Sequence, residues 1–68
     1  MSDVVLLASS GTIEGIERCV NEYFFSKKWR VDPETLEMRH EDSPANTPIY
    51  GLRVIRKDGR YRFEMLLD

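Results

Sequence analysis

The sequence has few of the residues that cross-link small proteins, bind metals or catalyse reactions. It contains one cysteine and one histidine among 68 residues. A single cysteine excludes an internal disulfide, and Cys19 has no cysteine or histidine at ligand spacing with which to hold a metal. We therefore expect no metal and no cofactor. The absence of disulfides is typical of a reducing compartment and predicts a cytoplasmic protein.

Long apolar runs are also missing. The longest, Val4 to Ala8, is too short to span a bilayer, and the start of the sequence lacks the basic segment of a signal peptide. We expect a soluble chain with no membrane partner. With 41% hydrophobic and 32% charged residues the composition is that of a globular protein, and its length predicts one domain over 1–68.

The last twenty residues predict a β-hairpin around Asp58-Gly59, a two-residue turn that tolerates positive φ at both positions. In a type I′ turn this dipeptide fixes which residues face each other. One face pairs apolar residues: Val54 with Phe63, Leu52 with Met65, and Tyr50 with Leu67. The other face is basic with an apolar base: it pairs Lys57 with Arg60, Ile55 with Arg62, Arg53 with Glu64, and Gly51 with Leu66.

Residues 13–24 have the spacing of an amphipathic helix with Thr12 as its N-cap. The stripe expected to face the core is Ile13, Ile16, Val20, Tyr23 and Phe24; the outward positions are Glu14, Glu17, Arg18, Asn21 and Glu22. Phe25 lies off the stripe, so we expect it to leave the helix or to be exposed. Val4 to Ala8, bounded by turn residues, predicts a strand buried on both faces inside the sheet.

Residues 28–40 predict a second hairpin, in which Asp32-Pro33-Glu34-Thr35 has the acceptor and the proline of a type I turn. The implied register is Val31 opposite Leu36, Trp29 opposite Met38, and Arg30 opposite Glu37. Residues 41–48 contain two prolines and no periodicity, which predicts a loop between the hairpins. The predicted fold class is α+β, in the order β-α-β-β-β-β, with one amphipathic helix packed on a mainly antiparallel, curved sheet.

Five strands in one sheet would be about 24 Å wide, whereas one helix covers only about 10–12 Å. Either the sheet curls strongly or a second chain covers the remainder. On the opposite face, half of the first strand, either Val5 and Leu7 or Val4 and Leu6, is expected to join Ile55 and Leu66 in an apolar patch with a basic rim. Such a patch is typical of an interaction surface.

Catalytic patterns are weak. His40 lies at a strand end with no nucleophile to serve, and we interpret it as a solvated residue rather than a base. Cys19 is interpreted as a small residue at the edge of the core. The turn from Ser9 to Thr12 precedes a helix N-terminus, where simple capping is favoured over a bound anion. We predict that the protein is not an enzyme.

The charge is unevenly distributed, because residues 49–67 carry five bases and two acids, whereas residues 1–26 carry one base and four acids. The function predicted is a non-enzymatic module that binds a protein partner, or itself as a homodimer, through the open sheet face. The alternative is single-stranded nucleic-acid binding by the basic hairpin over residues 53–62. The candidate partner-binding residues are Arg53, Ile55, Lys57, Arg60, Arg62 and Leu66, with Trp29 as a secondary candidate.

Overall fold

The computed structural model describes residues 3–43 and 51–67. One helix and antiparallel strands form a small α+β fold, as the sequence predicts, in the order β-α-β-β-β-β. The elements are β1 (Asp3–Ser10), α1 (Ile13–Phe24), β2 (Trp29–Val31), β3 (Met38–His40), β4 (Leu52–Lys57) and β5 (Arg60–Leu67). They form two sheets rather than one: a three-stranded sheet in the order β1-β5-β4 and a two-stranded sheet of β2 and β3.

The β4–β5 hairpin has the predicted register. Val54 lies opposite Phe63 and Leu52 opposite Met65. The turn residues adopt positive φ angles, 54° at Asp58 and 77° at Gly59, which is the geometry that matches the twist of the adjoining strands. The predicted pair of Tyr50 with Leu67 cannot be compared, because residue 50 lies outside the described residues, as do residues 44–48 of the predicted loop.

The prediction that the first strand is buried on both faces is wrong. β1 is an edge strand that pairs only with β5 among the described elements, and three consecutive side chains, Val4, Val5 and Leu6, are 46%, 40% and 47% exposed. A bulge between Leu6 and Ala8 shifts the register. An apolar run alone cannot distinguish a central strand from an edge strand whose hydrophobic side chains are left uncovered.

The β2–β3 hairpin has a register two residues away from the prediction. Trp29 lies opposite His40 and Val31 opposite Met38, because the loop is longer than a two-residue turn: the Leu36 amide donates to the Asp32 carbonyl at 2.8 Å and Leu36 has a φ of 63°. A shift of two residues keeps every side chain on its face. Trp29, Val31 and Met38 therefore still share the buried face.

Local hydrogen bonds define both ends of α1. Thr12 is the N-cap, since its Oγ1 accepts from the Gly15 amide at 2.9 Å. At the other end the Ser26 amide donates to Asn21 O and the Phe25 amide to Glu22 O, the paired bonds of a Schellman motif. Phe25 takes the left-handed position of this motif, with a φ of 52°, and is fully exposed at 97%.

Two helix residues that the sequence predicts to face outward instead attach β2 to the helix, a role that the sequence did not reveal. Asn21 accepts from the Trp29 amide at 2.8 Å and donates to the Trp29 carbonyl at 3.1 Å. Glu17 accepts from the Val31 amide at 3.2 Å. These side chains occupy the backbone groups along one edge of β2, so they replace the strand that would otherwise pair there.

The core lies where α1 meets both sheets. Its buried members are Ile16, Val20, Trp29, Val31, Met38, Val54 and Phe63. The division into two sheets reduces the covering problem posed by the sequence, since three strands are only about 14 Å wide. Exposed apolar side chains lie on the outer face of the three-stranded sheet, opposite α1. On the inner face, Val5 and Leu67, which lie near the start of β1 and the end of β5, are 40% and 42% exposed.

Candidate interaction surface

The outer face of the three-stranded sheet has an apolar end, a central ion-pair network and a basic end. Along the middle strand β5 its residues are Arg60, Arg62, Glu64 and Leu66, because alternate residues of a strand share a face. The pairing registers place Lys57, Ile55 and Arg53 beside them on β4, and Ser9, Leu6 and Val4 on β1. This face contains all six residues that the sequence suggests as primary candidates for partner binding.

Glu64 lies at the centre of this face and is almost completely buried, at 3% exposure. Arg53, directly opposite on β4, donates Nε to Glu64 Oε1 at 2.9 Å. Arg62, two residues earlier on β5, donates Nε to Oε2 at 2.8 Å. The two arginine side chains are 42% and 32% exposed, so they cover the carboxylate while they remain in contact with solvent.

Burial of the Glu64 carboxyl disfavours its ionised form, but the hydrogen bonds and positive charges of Arg53 and Arg62 outweigh burial and lower its pKa from the ordinary value of 4.5. Glu64 is therefore ionised at neutral pH and fixes both arginines. The sequence predicted the cross-strand pair of Arg53 with Glu64 but not the burial of the acid. An isolated acid in a basic strand, with one arginine opposite and another two residues away, is the pattern that indicates such a network.

The apolar end consists of Val4, Leu6 and Leu66, which we call the outer patch. These side chains are 46%, 47% and 36% exposed and are adjacent, since Leu66 lies opposite Val4 and Glu64 lies opposite Leu6. Of the two possible registers of the first strand, the structure has the one that places Val4 and Leu6 on this face. Ile55 does not join the patch, because the Arg53–Glu64 pair separates it from Leu66.

The basic end comprises Lys57 and Arg60, next to the turn. Arg60 donates Nε to Ser9 Oγ at 3.3 Å, and the Lys57 side chain has no hydrogen-bond or ion-pair partner within residues 3–43 and 51–67. None of the hairpin arginines pairs with an acid of α1; Glu17 is instead near Arg30, at 3.9 Å. The charge asymmetry of the sequence therefore does not arise from contacts between the helix and the hairpin.

The other candidate residues lie away from this face. Trp29 is 8% exposed and stacks on Phe24, with ring centroids 4.8 Å apart, so its surface is not available to a partner. His40 is not simply solvated: its side chain is 25% exposed, its ring contacts Trp29, and its Nδ1 accepts from the Asp42 amide at 3.2 Å. Cys19 packs at the edge of the core, as predicted.

Two of the concave features formed by the described residues lie along α1. An open groove of about 890 Å³ follows the exposed side of the helix and is lined by Glu14, Glu17, Arg18, Asn21, Glu22, Phe25, Ser26 and Lys27. A depression of about 290 Å³ lies between the helix and the sheet, beside Cys19 and Phe63. In the turn before α1, Ser10 Oγ accepts from the Thr12 amide at 3.3 Å and Thr12 Oγ1 accepts from the Gly15 amide, so these two hydroxyl groups serve backbone amides.

Within residues 3–43 and 51–67, no group of three or more histidine, cysteine or acidic residues is placed to hold a metal ion. In the same part of the chain, no helix has the length and apolar character needed to cross a membrane. No family model, curated protein or solved structure matches this chain. Function is therefore inferred from the surface itself.

Proposed function

We propose that this chain is a non-enzymatic protein-interaction module whose contact surface is the outer face of the three-stranded sheet. The observation that supports the proposal is the outer patch, in which Val4, Leu6 and Leu66 are exposed side by side on a regular sheet. Adjacent apolar side chains that a fold leaves in contact with water are typical of a surface that a partner covers.

The Arg53–Glu64–Arg62 network supports the same function. Both arginine side chains donate to Glu64, so they lose less conformational freedom on binding than flexible surface side chains would. An apolar centre next to ordered, partly exposed arginines has the composition of a protein interface. The network forms the boundary of the outer patch on the side facing the basic end.

Nucleic-acid binding is supported less well by this arrangement. Arg53 and Arg62 direct their charge at Glu64, so the three residues together contribute one net positive charge. Tyr61, the aromatic residue in the basic hairpin, is on the inner face and packs against the core. A stacking site requires an exposed ring beside the phosphate-binding cations, and this hairpin separates the two.

The proposal is tested by capturing binding partners on the immobilised chain. Wild type is compared with Leu66→Ser, which removes an apolar side chain from the outer patch, and with the matched control Lys57→Ser, at the basic end of the same face. Circular dichroism confirms that each variant is folded. We expect wild type and Lys57→Ser to retain the same protein, which can be a second copy of this chain, and Leu66→Ser to lose it.

Three results would contradict the proposal. The first is that wild type retains no protein, and the second is equal retention by all three forms of the chain. The third is retention of nucleic acid that high salt releases and that Lys57→Ser weakens, since this dependence is characteristic of phosphate contacts at the basic end.

A further inference from the structure

The exposed apolar side chains of β1 lie on both faces of the sheet. Val4 and Leu6 belong to the outer patch, whereas Val5 faces the side of α1 yet is 40% exposed. The helix packs farther along β1, where Leu7 and Ala8 contact the core. A partner that covered only the outer face would leave Val5 in water. A strand added at the edge of β1 that no other described strand occupies would contact side chains on both faces.

Within the described part of the chain, side chains protect the other strand edges against such pairing, but none protects the edge of β1. Asn21 and Glu17 occupy backbone groups of β2. The outer strand β4 carries three basic residues among six, and β3 carries Arg39 among three; charged side chains on an edge discourage pairing with another chain. From Val4 to Ser10, β1 has no charged residue, proline or glycine.

We propose that the occupant of this edge is a second copy of the chain, joined by antiparallel pairing of β1 with β1 about a two-fold axis. The inference rests on the proposed function and names the partner. A two-fold interface requires a surface that is complementary to itself. Pairing centred on Val5 satisfies this requirement, because it places Val5 beside Val5 on one face and Val4 beside Leu6 on the other.

Charge is compatible with this register. Asp3 is the one charged residue of β1, and in the proposed pairing the two Asp3 residues are four positions apart along the strands, or about 13 Å. This distance exceeds the screening length of about 8 Å at physiological salt, so the acids do not oppose association. The two sheets would join into one six-stranded sheet, with the two outer patches adjoining across the axis.

The bulge limits the strength of the dimer. Pairing that keeps each side chain on its face extends from Val4 to Leu6, since Asp3 would lie opposite Leu7, where the register of β1 shifts. A stable interface buries about 800 Å² per partner, roughly one sixth of the 4869 Å² surface of this chain. A short edge pair with partly exposed side chains supplies only part of that area. We therefore expect a reversible dimer with a dissociation constant in the micromolar range.

The first test is sedimentation velocity from about 1 to about 500 µM, which brackets micromolar affinity. Wild type should change from monomer to dimer over this range. Val5→Lys should remain monomeric, because it introduces a charge at the centre of the proposed pairing while leaving the outer face unaltered. Lys57→Ser, on the outer face away from β1, should dimerise as wild type does.

The second test is disulfide cross-linking in a Cys19→Ala background. Val5→Cys should form a covalent dimer on oxidation with diamide, because the two β-carbons would meet across the axis within disulfide reach. Ser9→Cys is the matched control on the same strand: its two copies would be about 27 Å apart, so it should cross-link at least tenfold more slowly.

Several outcomes would overturn the inference. A wild-type chain that remains monomeric at every concentration excludes the dimer, and cross-linking of Ser9→Cys as fast as Val5→Cys excludes the register. A dimer that survives Val5→Lys but is lost in Leu66→Ser would place the contact on the outer face alone. Failure here is distinguishable from failure of the proposed function: a monomeric chain that still captures a different protein through Leu66 retains the function and loses only the second copy as partner.

Discussion

At the scale of single residues, Phe25 is the side chain least explained by the stability of the fold. It occupies a left-handed backbone conformation with a φ of 52° and is 97% exposed. A residue with a β-carbon is strained in this region, where glycine is the usual choice at a helix C-terminus. Phe25 therefore destabilises the backbone locally without contributing buried apolar surface in return.

Phe25→Gly is accordingly expected to stabilise the protein. Relief of backbone strain contributes about 1–2 kcal/mol, and the greater freedom of glycine in the unfolded chain offsets about 0.5–1 kcal/mol. The net expected gain in the free energy of unfolding is about 0.5–1 kcal/mol, measured by urea denaturation. Phe25→Ala is the matched control, because it keeps the strained backbone and should leave stability nearly unchanged. Destabilisation by Phe25→Gly would show that the ring has a contact in the folded state.

Asn21 illustrates what helical periodicity cannot reveal. The pattern places it correctly on the polar side of α1, but polarity does not distinguish a solvated amide from one that binds a neighbouring strand. Its two hydrogen bonds to the Trp29 backbone, at 2.8 and 3.1 Å, connect residues eight positions apart. The intervening chain must first fold back on the helix for these bonds to form, so residue spacing contains no information about them.

Asn21→Ala should destabilise the protein by about 2 kcal/mol, because the partly buried amide and carbonyl of Trp29 lose their partners. The measurement is the urea midpoint followed by the fluorescence of Trp29, the only tryptophan in the sequence. Glu22→Ala, at the next position and exposed, should change stability by less than about 0.5 kcal/mol. Equal effects of the two substitutions would contradict the docking role of Asn21.

At the scale of elements, predictions succeeded where local chemistry determines geometry. Asp58-Gly59 specifies a two-residue turn, and this turn fixes the register of β4 and β5. The second hairpin differs because its loop includes Leu36, with a φ of 63°. Leucine has no preference for that conformation, which is stabilised by packing of its side chain against the core. The register of β2 and β3 therefore depends on tertiary contacts, although the assignment of faces does not.

The ion-pair network of β4 and β5 predicts a specific dependence of stability on pH. The pKa of Glu64 is lowered by folding, so its contribution to stability is fully present above the ordinary value of 4.5 and is lost as the pH falls through the lower, folded value. At pH 7 Glu64→Gln should be less stable than wild type by about 1 kcal/mol, a modest figure because both arginines are partly exposed to solvent.

The difference in stability between wild type and Glu64→Gln should shrink below pH 4.5, the ordinary pKa of Glu64. Protonation makes the wild-type carboxyl neutral, and the glutamine side chain is neutral at every pH. The measurement is urea denaturation of both proteins from pH 7 to pH 3. Asp32 and Asp42 also have lowered pKa values, but they are present in both proteins and cancel in the comparison. A difference that stayed constant over this range would show that the charge of Glu64 does not contribute.

At the scale of the whole molecule, the division into two sheets determines which surfaces are covered, and it could not be predicted from the strands alone. Strand patterns give faces and local partners, but they do not tell whether two hairpins join edge to edge. Here side chains of α1 occupy the edge of β2, which leaves β2 and β3 as a separate sheet. The same division leaves β1 at an edge, where the proposed interface lies.

One core nevertheless contains residues of both sheets, and this arrangement predicts cooperative unfolding. Trp29 of the small sheet and Phe63 of the large sheet belong to the same buried cluster around Ile16 and Val20. Phe63→Leu removes part of a fully buried ring from the large sheet and should cost about 1–2 kcal/mol. Because the cluster links the sheets through α1, the fluorescence transition of Trp29 and the far-ultraviolet circular dichroism transition should move to lower urea together, as in two-state unfolding. Movement of the circular dichroism transition alone would mean that the β2–β3 sheet unfolds independently.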